Sequence, residues 1–458
     1  MKKFKYIKIF ALTILLSACE TFVTQVDEYD PTQPRDADMK LVVTGMEVEY
    51  MGVMEGEMAR LVGMWSGYFT GSDRQYVPLG NYVTTAGDYV GAWNNFYAFV
   101  LKQSRIVQGK ATALGDNITL GIAQVVEAHV MGTTAALWGD VPYSQAANVT
   151  QYPNPVFDPQ TQVIDNVIAL LDVAITNLNT GVGTRGGDFL GSSTSQWVAA
   201  AYSLKARYLL YKKDYANALT AANLGIATTA NNIMAKHGTT NDQDRNIYYD
   251  FHERQRSGYM TAKTALLPKK LDPASSTSRN NTKTVETARF KVYFTGSTGS
   301  YDINVGTTGF FGSAASFPLI TAYETKLIAA ECQARINGVS AGVTALNVHR
   351  ALLRTAYPTG TYTDYVAADF AAGGIENTDN IADLDALLRE IYEEKWVSLY
   401  GQIEVFNEIR RTNNAVGLSP NAGTQIPQRL LYPQSEINSN KSTPNPIPDL
   451  FSKTALFQ

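Results

Sequence analysis

Residues 193–226 read STSQWVAAAYSLKARYLLYKKDYANALTAANLGI, and the spacing of their apolar positions decides the fold. Trp197, Ala201, Leu204, Tyr208 and Tyr211 recur every three or four residues, which places them on one face of a helix. The hydroxyls of Ser193 to Ser195 offer N-caps to that helix. Asp214 opens a second helix, whose stripe is Tyr215, Ala218, Leu219, Ala222 and Ile226. Lys212-Lys213-Asp214 joins the two, and small alanines stand where they would cross.

Two such helices resemble a tetratricopeptide unit, and the pairing repeats along the chain. Residues 119–138 make a helix with Ala123, Val126, Val130 and Leu137 inward. Asp158-Pro159 opens its partner, which runs to Leu178, with proline at the first helical position. Tyr323, Leu327, Ala330 and Ala334 mark a third first helix, followed by Ala345 to Leu353. Leu388, Tyr392, Leu399, Ile403 and Phe406 mark a long fourth helix, with Trp396 alongside. The expected fold is therefore mainly α: a tetratricopeptide-like helical-repeat scaffold whose stacked pairs bury one another's faces.

Two stretches break the pattern, residues 66–90 and 236–317, both rich in Gly, Ser, Thr, Asn and aromatics. Insertions of that length in a compact domain are functional or disordered as a rule. Tyr248, Tyr249, Phe251, Phe290, Tyr293, Phe294, Phe310 and Phe311 argue against disorder. Arg289 to Phe294 is expected as a short strand. Residues 39–458 are read as one domain, with 39–235 and 318–458 mainly helical and 236–317 an irregular, loop-rich, ligand-binding face.

The first eighteen residues read as a signal peptide: Lys2, Lys3, Lys5 and Lys8, then a short apolar core from Ile9 to Leu16. That core falls well short of the ~20 residues that span a bilayer. Leu16-Ser17-Ala18-Cys19 resembles a lipobox, so Cys19 is the expected site of lipidation. Residues 19–38, polar and with two prolines, suit a tether. Downstream, charged or polar residues interrupt the longer apolar runs, so no membrane span is expected. Cys332 is the only other cysteine, which leaves the fold to its core rather than to disulfides. The formal net charge is −4, and loss of the four signal lysines makes it more negative. An acidic surface without basic runs excludes nucleic acid as a natural partner.

Several motifs, in order, now resemble the SusD/RagB-type outer-membrane nutrient-binding lipoproteins. Trp138-Gly139-Asp140-Val141-Pro142-Tyr143 resembles their "GDVP" signature. Tyr323-Glu324 through Glu331, with Asn347-Val348-His349-Arg350, resembles their third repeat. Ile391 to Trp396, then Phe406 and Arg410 to Asn413, resembles the helix near their C-terminus. Leu431-Tyr432-Pro433, Glu436 and Asn438 match the closing element. Lys395-Trp396 and the loops point to a divergent branch. The resemblance implies a cell-surface protein that captures a glycan and hands it to a SusC-type TonB-dependent transporter barrel. In some relatives the cargo is peptide. It implies no catalysis and no cofactor.

The chemistry-bearing residues fit this reading. Gly139 permits a tight turn, Asp140 can accept backbone N–H groups, and Pro142 stops a helix. Glu394 and Lys395 are expected at the edge of a packed face, paired with neighbouring repeats. His129, His237, His252 and His349 are scattered and form no i, i+4 metal pair. Residues 181–191 have a phosphate-loop composition but lack the Gly-Lys-Ser/Thr ending and the preceding strand. Sugars stack C–H faces on rings and need amides, acids or arginines at the rim, and residues 65–97 are dense in both. Trp65, Tyr68, Tyr76 and Tyr249 are the expected ligand contacts; against this stands burial of such rings in the core. Two further functions compete: a helical-repeat glycoside hydrolase, which needs two carboxylates ~5–9.5 Å apart in a cleft, and a protein-only scaffold with a smooth groove.

Overall fold

The structure is a computed structural model and describes residues 37–240 and 243–458. Cys19, the signal segment and most of the expected tether lie outside the described residues. The longer helices of the first half are α1 (Met39–Glu55), α2 (Glu57–Trp65), α3 (Lys102–Leu114), α4 (Asn117–Trp138), α5 (Gln160–Asn179), α6 (Thr194–Tyr211) and α7 (Tyr215–Leu224). The second half supplies α8 (Ala322–Asn337), α9 (Val339–Ala356), α10 (Asp383–Ser398) and α11 (Glu404–Arg411). The sequence places α6 and α7 correctly, caps included. Ser193 Oγ accepts from the Gln196 amide at 3.2 Å, and Asp214 Oδ1 accepts from Asn217 at 3.2 Å.

The helices stack in series: α4 on α5, α5 on α6, α6 on α7, then α7 on α8, and α8 on α9 and α10. The stack thus continues from α7 to α8 although almost a hundred residues separate them in sequence. Trp197, Leu204 and Tyr208 are fully buried, as their periodicity requires. Among the described residues α5 alone is long and apolar enough to cross a membrane. Its Val163, Ile164, Val167 and Leu171 are buried instead in the repeat core.

The intervening chain carries short pieces only. The β-ladders are antiparallel pairs with at least one strand in this segment: β1 (Thr70–Gly71) with β3 (Met260–Thr261), and β2 (Ile233–Ala235) with β7 (Phe317–Ile320). The other two are β4 (Thr284–Val285) with β8 (Thr361–Tyr362), and β5 (Phe294–Thr295) with β6 (Asp302–Ile303). The strand expected at Arg289 to Phe294 is a helix, Thr287–Tyr293, and only Phe294 enters β5. Helical spacing lets the buried Arg289 donate to Glu286 three residues earlier, at 2.6 Å, and to Glu394 at 2.7 Å.

Those bonds belong to a charged web inside the scaffold. Glu394 also accepts from Arg279 at 2.8 Å and meets His349 Nε2 at 3.0 Å. Burial alone would raise the Glu394 carboxyl; Arg289 and Arg279 overrule it and hold it well below the usual range. Lys395 Nζ lies 2.9 Å from Glu408, and Arg411 joins Glu408 to Glu331 at 2.7 Å each. Glu394 and Lys395 therefore pair as expected, but they are buried at 1% and 0% exposure rather than sitting at an edge. A charge is kept inside only where such partners offset its desolvation.

The Gly139–Pro142 turn has the structural role read from its residues, with the partners exchanged. Gly139 takes φ +87°, a conformation open to glycine without strain. Asp140 Oδ1 accepts from the Gln160 amide at 2.8 Å and so caps α5. Asp158, expected as that cap, instead accepts from the Tyr143 and Ser144 amides at 2.8 and 2.7 Å. The Trp138 indole and the Asp140 carbonyl then hold the closing element, through Leu431 O at 2.9 Å and the Tyr432 hydroxyl at 2.6 Å.

Candidate ligand-binding cleft

Where α2 ends, the chain turns into β1, and three loops converge on that turn. Gly67 O accepts from the Leu266 and Leu267 amides at 3.0 Å each, and Thr70 Oγ1 meets Thr264 Oγ1 at 3.0 Å. The third loop arrives from the far end of the sequence. Asn421 donates its side-chain amide to Met64 O and Gly80 O at 3.0 Å, and its backbone amide to the Tyr82 hydroxyl at 2.8 Å. Between these loops lies a cleft of about 380 Å³, at the lower end of the ~300–1,000 Å³ range of ligand pockets.

Two glycines are dictated by the closeness of the walls. Gly67 has φ +78°, and a Cβ there would lie 2.8 Å from Leu418 Cδ2. At Gly71 it would lie 1.9 Å from the Tyr76 carbonyl oxygen. Backbone therefore forms this wall, leaving peptide groups beside the space.

The polar lining is Thr70, Asn81, Thr264, Ser419, Asn421 and the single cation Lys269; no carboxylate lines the cleft. Such a surface offers hydroxyl and amide donors and acceptors to an uncharged polar ligand. It holds no pair of acids for glycosidic cleavage, and among the described residues no cluster of His, Cys, Asp and Glu could hold a metal.

Of the expected contacts, Trp65 lines the cleft and the other three do not. The Trp65 ring is nonetheless 2% exposed, with its N–H held by Leu79 O at 2.8 Å. Tyr68 is fully enclosed and donates to the Trp396 carbonyl. Tyr76 is buried against Phe251 and Tyr259, with ring centroids 5.0 and 6.2 Å away. Tyr249 is half-buried, 5.9 Å from the Arg245 guanidinium. The loop aromatics thus mostly pack on one another, because short strands and turns give this layer little other apolar core. Sequence reasoning missed Thr264, Lys269, Ser419 and Asn421. The signal available was the Asn-, Gly-, Ser- and Pro-rich run from Asn413 to Gly423, a composition typical of built surface loops.

Fold and cleft together define a class: a tetratricopeptide-type helical stack that carries a carboxylate-free pocket between loops. The comparisons with known proteins make it specific. The chain belongs to the SusD-like family, whose model, described as "Starch-binding associating with outer membrane", matches residues 32–433. A SusD/RagB family protein of Bacteroides thetaiotaomicron superposes with a TM-score of 0.64 at 20% identity, covering 89% of this chain and 95% of that one. A SusD homolog from Bacteroides uniformis gives 0.69 at 16% identity, covering 92% and 100%. A chitin-binding SusD homolog from Flavobacterium johnsoniae gives 0.63 at 14% identity, covering 91% and 98%. No curated protein matches the chain. The family is one of binding proteins associated with the outer membrane.

Proposed function

We propose that this protein captures an oligosaccharide at the outer membrane and hands it to a SusC-type TonB-dependent transporter, without cleaving it. The observation that carries the reading is the cleft at Trp65, Thr264 and Asn421: amide- and hydroxyl-lined, preformed by cross-loop hydrogen bonds and free of carboxylates. An uncharged sugar can exchange hydrogen bonds with these amides and hydroxyls and accept one from the Lys269 ammonium. Starch binding in the family's description and chitin binding in one structural relative supply the ligand class to try first. Cys19 is the lipid attachment site in this reading, and residues 19–38 are the tether.

Retention of the purified protein on insoluble starch and chitin tests the capture, with chromatography of the supernatant for released sugars. Retention on one polymer without products is the expected result. Products that vanish on a single carboxylate substitution would make the protein a hydrolase. Retention of peptides alone would move the reading to peptide capture. Cys19→Ala should leave the membrane fraction and lose palmitate labelling; labelling that persists would remove the anchor from the account.

A further inference from the structure

A second opening, of about 360 Å³, lies beside the first and shares Leu418 and Pro420 with it. The segment from Asn413 to Asn421 is the ridge between them. It is braced from within: Asn414 Nδ2 donates to Leu418 O at 2.9 Å, the Leu418 amide returns a bond to Asn414 Oδ1 at 2.9 Å, and the Gly417 amide reaches Asn414 O at 2.9 Å. Asn421 fastens its far end to Met64, Gly80 and Tyr82. Both openings therefore keep a shared, preset wall.

The second opening resembles the first in chemistry. Thr424, Gln425, Gln428 and the lone cation Lys453 give it polar groups, and again no carboxylate lines it. It differs in one respect. Phe451 is 38% exposed there, whereas Trp65 and Phe69 in the first cleft are both 2% exposed. The rings are linked: Tyr82 meets Trp65 edge-on at 6.0 Å and Phe451 edge-on at 6.4 Å. Trp65, Tyr82 and Phe451 thus form a row from one opening to the other, and the Tyr82 hydroxyl accepts from the Asn421 amide of the ridge.

We propose that the two openings are subsites of one binding groove, which takes a linear, uncharged oligosaccharide across the Asn413–Asn421 ridge with a sugar ring stacked on Phe451. This rests on the reading of the first cleft as a glycan site. The matched carboxylate-free linings fit successive sugars of one polymer, and the exposed ring supplies the apolar face that the first cleft lacks. A ligand long enough to reach both openings gains contacts that a short one cannot make.

Calorimetric titration with chito- and malto-oligosaccharides from dimer to hexamer tests it, using the wild-type chain, Phe451→Ala and Thr424→Trp. The second variant fills the outer opening from an exposed position, and thermal melts check that both variants are folded. In the series that binds, affinity should rise about tenfold or more from dimer to hexamer, equivalent to about 1.4 kcal/mol. Both variants should lose that gain while binding the dimer as the wild type does. Wild-type affinity that does not depend on length, or a full gain retained in both variants, would overturn the second subsite and leave the first cleft standing. A wild-type chain that binds neither series would overturn both readings.

Discussion

Around Glu394 two arginines, a histidine and a neighbouring glutamate are sealed from water, while some residues away in the same chain the cleft is lined with no carboxylate and a single lysine. The two regions use polar groups for different ends. In the scaffold, full charges are buried and satisfied by one another, so each fixes how one helix meets the next. In the cleft, neutral amides and hydroxyls are braced by bonds between loops and left beside open space. The contrast teaches that charged motif residues in this protein belong to architecture. In the proposed reading, the binding chemistry sits in turn residues that look ordinary in sequence, all uncharged but Lys269.

The contrast breaks most visibly at Glu394. Glu394→Ala takes one carboxylate from Arg289 and Arg279, which keep Glu286 and Glu390 as partners, so the expected cost is about 3 kcal/mol, the low end for a broken buried ion pair. Urea unfolding should show a loss of that order. A loss below about 1 kcal/mol would mean that the web contributes little to the fold.

Trp65→Ala probes the boundary between the regions, because this ring belongs to the core and touches the cleft. Truncating a buried tryptophan costs about 3–5 kcal/mol, so the variant should melt early as well as bind weakly. Normal stability with lost binding would show instead that the ring serves the ligand alone.

A subtler test concerns pH. Burial, and then the neighbouring Asp188, raises the Glu47 carboxyl to about 9. Its folded pKa lies above its unfolded one, so the folded state holds the extra proton between them. The resulting stability is full below the unfolded value and is lost as pH rises toward about 9. Glu47→Gln keeps a neutral donor for Asp188 at every pH. The variant should gain melting temperature over wild type at pH 8 more than at pH 5. A gap that does not widen with pH would place the proton elsewhere.

The smallest effect on stability belongs to the cleft rim. Thr264→Ala and Lys269→Ala lie away from buried networks and should stay within about 0.5 kcal/mol of wild type. Larger losses in melts would turn the rim into scaffold and erase the contrast.

These expectations show which parts of the molecule were legible in sequence. Helical periodicity located α4 to α7, and for α6 and α7 the cap residues too, since a face that must be buried imposes its spacing directly. The Gly139–Pro142 turn was legible in role but not in partners; the residue that caps α5 is Asp140, which comes from before the loop. Glu394 and Lys395 read as residues at the edge of a packed face because nothing local announces that Arg279 and Arg289 will arrive from the irregular segment to neutralise a glutamate. The loop aromatics misled for a related reason: their density marks an apolar layer, and sequence cannot tell a ring that packs on its neighbours from one that faces a ligand. The cleft joins residues near 67, 80, 265 and 419, a meeting set by tertiary contacts rather than by any spacing.

The most direct test of the central claim is a calorimetric titration of Thr264→Ala/Lys269→Ala beside wild type, with the oligosaccharide of the polymer that retains the protein. The account predicts unchanged melting and a Kd weaker by about tenfold or more, a loss of about 1.4 kcal/mol. An unchanged Kd in the equally stable variant would contradict it.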